Sequence, residues 1–115
     1  MNMTVLFHGL DNSPALEKHI REHAERLRKF AADIVSCKVV VSQDGQRHLQ
    51  GAQFHVGIRI VVGRLEVDSS DTHTRDPRHE DAYVAVTDAF AAVTRRIHEH
   101  AQRRRGSVKR HSPDP

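Results

Sequence analysis

At 115 residues the chain has room for one domain with one modest core and is too short for two. A formal charge of +3 and a pI near 9.5 admit an anionic partner such as nucleic acid without naming one. A single cysteine excludes an intrachain disulfide, no apolar run approaches the roughly 20 residues of a membrane span, and Met1 to Thr4 is not the basic-then-apolar start of a signal peptide, so the expected setting is a soluble protein of the reducing cytoplasm.

Residues 3–8 alternate weakly and read as a short strand with Val5 and Phe7 inward, followed by a turn over residues 9–12. Ser13-Pro14 is a helix start, because serine can cap free amides and proline at the first helical position has no N–H to waste. Leu16, Ile20, Ala24, Leu27 and Phe30 or Ala31 then draw an apolar stripe to about Ala32. Lys18, Arg21, Arg26, Arg28 and Lys29 share the other faces with Glu17, Glu22 and Glu25, several at ion-pairing spacing.

Residues 35–42 read as a strand with Val35, Cys37, Val39 and Val41 on one face and Ser36, Lys38 and Ser42 on the other. Cys37 sits inside this apolar run and is expected to be buried and inert. Asp44-Gly45 marks a turn, and the polar run to Gly51 a loop. Residues 53–62 show the cleanest alternation, with Phe54, Val56, Ile58, Ile60 and Val62 one way and Gln53, His55, Gly57 and Arg59 the other. Gly63-Arg64 reverses the chain into a fourth strand carrying Leu65 and Val67. Residues 68–78 are polar, contain Pro77 and form a loop long enough to be either functional or mobile.

A second helix spans residues 79–105. Tyr83, Val86, Phe90, Val93 and Ile97 recur at steps of three and four, which places Tyr83 at the head of the core stripe. Glu80 and Asp81 suit its N-terminal end, and Arg95, Arg96, Arg103, Arg104 and Arg105 lie off the stripe toward its basic end. Residues 106–115 have no periodicity and are expected to be a disordered basic tail, leaving a domain of residues 1–105. The order β-α-β-β-β-α, with one apolar face per strand and one stripe per helix, predicts an α+β fold: a four-stranded sheet with two helices packed on one face. Lys38, His55 and Arg59 would then face water on the other.

No catalytic constellation is legible. The ten histidines come without a Cys pair, a His-Glu-x-x-His or a carboxylate-rich loop, so a metal site is not expected, although His19 and His23 share a helix face. Ser13 is used as a cap, and no glycine-rich phosphate loop is present. Nucleic-acid binding fares better. An RNA-recognition sheet stacks bases on aromatics of its open face, but Phe54 is in register with the core residues of its strand. The available cations lie instead on the helix sides, Arg26 and Lys29 on the first and Arg95 and Arg96 on the second, where they can grip phosphates of structured RNA by shape.

These residues resemble a known family, the short ribosome hibernation-promoting factors and ribosome-associated inhibitors of bacteria (the sigma-54 modulation protein family). The likeness covers about residues 3–104. It rests on the element order, on Val5, on Ser13-Pro14-Ala15-Leu16, on Ile20, on Arg26-Leu27-Arg28-Lys29-Phe30, on His79-Glu80-Asp81-Ala82-Tyr83-Val84-Ala85-Val86, and on Arg95 ahead of Ile97.

The resemblance implies a protein that binds the small ribosomal subunit at the decoding region, silences idle ribosomes under stress, is not an enzyme and needs no cofactor. It implies contacts to ribosomal RNA from Arg26, Lys29 and Arg95, with His23 at a position often basic in the family; Arg96 and Arg103, from the basic end of the second helix, are further RNA-binding candidates. No membrane or small-molecule partner is expected, and the protein would be monomeric off the ribosome. Ala92 and Thr87 depart from the family pattern, the first standing where a basic residue is usual, and Arg96 is the residue placed to compensate. The chain stops without the C-terminal domain of long members, so direct pairing of ribosomes is not expected. The competing reading is a protein-interaction or regulatory module that keeps this fold without ribosome binding.

Overall fold

The structure, a computed structural model, describes residues 1–43, 53–69 and 81–111, with side chains described as far as Gln102. The elements are β1 (Asn2–His8), α1 (Pro14–Phe30), β2 (Ile34–Gln43), β3 (Phe54–Val62), β4 (Leu65–Asp68) and α2 (Ala82–His111). This is the predicted α+β order. The expected 44–51 loop, and all of the 68–78 loop beyond Ser69, lie outside the described residues.

The sheet order is β1-β2-β3-β4, with β1 and β2 parallel and the other pairs antiparallel. A parallel pair needs a crossover, and α1 supplies it. The helix starts as expected: the Leu16 N–H donates to Ser13 Oγ at 3.2 Å, with Pro14 in the first turn. Its stripe of Leu16, Ile20, Ala24 and Leu27 is buried against the sheet. At the C-terminal end Ala31, not Phe30, takes the inward position. The β3–β4 reversal is made by Gly63, whose φ of 59° favours a residue without a Cβ.

One face of the sheet contributes Cys37, Val39, Val41, Ile58, Ile60 and Val67 to the core, with Val5, Phe7, Phe54 and Val56 partly buried around them. Cys37 is buried, and burial pushes its thiol up to about 11, which keeps it protonated and unreactive. The other face is open. There Arg59 pairs with Glu66 at 2.9 Å and with Asp68 at 3.6 Å.

Three expectations need correction. Val35 points outward, at 53% exposure, and Ile34 is buried in its place. Ile34 pairs with Val62 and Ser36 with Val61, so β2 carries one extra residue there, a bulge that shifts the alternation by one. Gln53, expected on the open face, precedes β3 and is buried.

Tyr83 is the third. Val86, Phe90, Val93 and Ile97 are buried as predicted, but Tyr83 is 42% exposed. Ala85, Ala89 and Ala92 are buried along the other flank of α2, Ala89 within the core cluster. The helix opens at Asp81, whose Oδ1 accepts from the Tyr83 N–H at 2.8 Å and whose carbonyl accepts from the Ala85 N–H. Its backbone stays helical to His111, past the end predicted near Arg105. Once nucleated, a helix adds turns without needing an apolar stripe.

Ser69 is buried just after β4. The Ile58 N–H donates to its Oγ at 2.9 Å and its own N–H donates to the Ile58 carbonyl, so a side chain extends the β3–β4 ladder where the backbone departs.

Candidate nucleic-acid interface at the helix seam

At about 100° per residue, positions on α1 can be measured from its buried line through Ile20. His19, His23, Arg26 and Phe30 fall together on one edge. Glu17, Arg21, Glu25 and Arg28 fall on the opposite edge, where Arg21 pairs with Glu17 at 3.6 Å and Arg28 with Glu25 at 3.0 Å. The first edge faces α2. The His19 ring meets Tyr83 at a centroid distance of 5.0 Å. The His23 ring stacks on Phe90 at 5.2 Å and 15°. The Phe30 ring meets His98 at 6.2 Å. Thr87 Oγ1 lies 3.4 Å from the Nε2 atoms of both His19 and His23, so its one hydroxyl can serve both rings.

The partners rise together in number along both helices, so α1 and α2 lie side by side and run the same way. Their negative dipole ends are therefore neighbours, and the basic residues of both helices gather toward that shared end. Arg26 stands between the seam and solvent. Lys29 and Arg95 stand roughly opposite the buried lines of their helices. All three are exposed, and none has an ion-pair or hydrogen-bond partner among the described residues. The Phe30–His98 contact joins the two sides. Arg26 is one turn before Phe30 and Arg95 one turn before His98, so the cations form one ridge across the seam.

The remaining candidates are placed differently. His23 is half-buried within the seam and beside Arg26 on the same edge. Arg96 lies across the buried line of α2 from α1 and donates to the Asp68 carbonyl at the end of β4, so it fastens α2 to the sheet. Ala92 is buried, and a charge could not be held there without repacking. The Arg103 backbone is in α2, and its side chain lies outside those described. Among the described residues no group of three or more His, Cys, Asp or Glu side chains is placed to hold a metal ion.

Burial lowers the His23 pKa from 6.5, with His19 and Arg26 adding to the effect and Glu22 opposing it. The unfolded chain therefore takes up this proton at a pH where the folded chain does not. The corresponding stability is whole above about pH 6.5 and is lost as the pH falls toward the folded value. The melting temperature of the wild type should drop more between about pH 7.5 and pH 5.5 than that of His23→Gln. Equal drops, measured by circular dichroism, would show that the seam does not disfavour the charged ring.

The α1 edge was readable in principle. His19, His23, Arg26 and Phe30 recur at steps of four, three and four, a second stripe beside the apolar one. Its mixed chemistry hides it from a search for hydrophobic periodicity.

The family described as "Sigma 54 modulation protein / S30EA ribosomal protein" matches residues 3–105. Among solved structures, the chain is similar to the N-terminal domain of Protein Y from Thermus thermophilus, at 19% identity and a TM-score of 0.60, covering 84% of this chain and 96% of that one. It is also similar to a ribosomal subunit interface protein from Coxiella burnetii, at 12% identity and a TM-score of 0.64, covering 89% and 99%. At these identities the likeness is one of fold. No curated protein matches the chain.

Proposed function

The chain belongs to the Sigma 54 modulation protein / S30EA ribosomal protein family, and from that membership we propose that it is a ribosome-associated translation inhibitor. It binds the small ribosomal subunit at the decoding region, holds ribosomal RNA along the α1–α2 ridge, and keeps idle ribosomes out of translation. The observation that carries the RNA contact is that Arg26, Lys29 and Arg95 gather toward the shared end of α1 and α2 with no ion-pair partner among the described residues, while Arg21, Arg28 and Arg59 are neutralised by carboxylates and the other exposed cations without one, Lys18, Lys38 and Arg64, lie elsewhere, at the start of α1, on β2 and in the β3–β4 turn. A side chain already paired gains little from a phosphate, and one without a partner gains a charge-assisted hydrogen bond. Arg103 is a further candidate from the basic sequence of α2, and His23 adds charge only when protonated. The reading needs no reaction and no cofactor.

Co-sedimentation with separated subunits and vacant ribosomes tests it. Stoichiometric pelleting with the small subunit is expected, weakening about 20- to 40-fold between roughly 50 and 200 mM salt if three phosphates are contacted. No pelleting with the small subunit at low salt would refute ribosome binding and leave the protein-interaction reading standing.

A further inference from the structure

Phe30 is 52% exposed at the end of α1, and the inward position beside it is filled by Ala31. The ring therefore adds little to the core. Its described neighbour is the His98 ring on α2, at 6.2 Å and tilted by 39°. His98 is itself steadied by Gln102, whose Nε2 lies 3.1 Å from the imidazole Nε2 one turn on. Arg26 stands one turn before Phe30, Lys29 lies beyond Arg26 on the solvent side of α1, and Arg95 stands one turn before His98. The centre of the basic ridge is thus two exposed rings held from two helices.

We propose that Phe30 and His98 form a stacking platform for one unpaired nucleobase of ribosomal RNA. The inference rests on the ribosome-binding reading above and names what that site holds besides phosphate. Every base has a π-face, so an aromatic platform accepts an unpaired base without reading its sequence, while cations on either side take the flanking phosphates. An apolar protein partner would need a wider oily patch than one ring set among arginine and lysine.

The test compares wild type, Phe30→Ala, Phe30→Leu and Phe30→Trp for binding to purified small subunits across a salt series. Phe30 lies outside the core, so each variant should keep the wild-type melting temperature. Phe30→Ala should weaken binding roughly 5- to 100-fold, with the salt slope unchanged because no phosphate contact is lost. Phe30→Leu should be nearly as weak. Phe30→Trp gives a chain that has no tryptophan a single reporter, and its emission should be quenched on binding as the indole stacks.

Wild-type affinity in Phe30→Ala would overturn the platform while sparing the ribosome reading. Full rescue by leucine would also overturn it, by showing that an oily contact suffices, and so would unchanged tryptophan emission in a bound complex. If the wild type itself binds no small subunit, both readings fall together.

Discussion

Replacing Arg26, Lys29 and Arg95 together by glutamate should weaken binding to the small subunit by about 100-fold or more near physiological salt. Each lost charge-assisted contact at an exposed site is worth about 1 kcal/mol after screening, so three give about 3 kcal/mol before any repulsion by the new carboxylates. The slope of log affinity against log salt should also flatten by about 2 to 3, because three phosphates no longer release counterions. The formal charge would change by six, from +3 to −3, so a control must carry the same total. Arg21, Arg28 and Lys38 replaced by glutamate provide it. The first two are ion-paired on the far edge of α1, and Lys38 lies on the open face of the sheet. That variant should bind within about 10-fold of wild type. Equal losses in the two triples would mean that net charge, not the ridge, attracts the ribosome.

The apolar periodicities carried most of the fold, because burial on one side of an element imposes a repeat that a sequence displays directly. Val39, Val41, Ile58 and Ile60 are inward for that reason, as are Ile20, Val86 and Val93. The misses occur where burial depends on what lies alongside. Val35 shares the period of Cys37, but a bulge is a property of two strands and leaves no mark on one. Tyr83 shares the arc of Val86 and Phe90, but it lies at the arc's edge, and α1 passes there with His19 instead of an aliphatic side chain.

The candidate site showed its charges in the sequence and not its geometry. Arg26, Lys29 and Arg95 were singled out as cations on helix sides. That they form one ridge follows from two helices running the same way, which no local pattern encodes. Arg95 and Arg96 look equivalent in the sequence, yet one turns outward and the other binds the end of β4. A step of about 100° around the helix separates those roles.

Ile20→Ala should be among the most damaging truncations of the core. Ile20 has no exposed surface and is among the largest fully buried side chains. Its truncation on α1 leaves a cavity between helix and sheet and should cost about 2–5 kcal/mol, against about 0.5–1.5 kcal/mol for Ile20→Val. For a domain of this size that is a loss on the order of 10–20 °C in melting temperature, and a large share of a total stability of about 5–15 kcal/mol. The side chain also sets where α1 sits, and therefore where His19, His23, Arg26 and Phe30 meet α2. Ile20→Ala should bind the small subunit nearly normally well below its lowered melting point and lose binding as α1 loosens, whereas the charge-reversed triple should keep its melting temperature and lose binding at every temperature. The two variants thus separate the packing that builds the ridge from the contacts proposed for it. A melting temperature unchanged in Ile20→Ala would mean that α1 is not seated on the sheet through this residue.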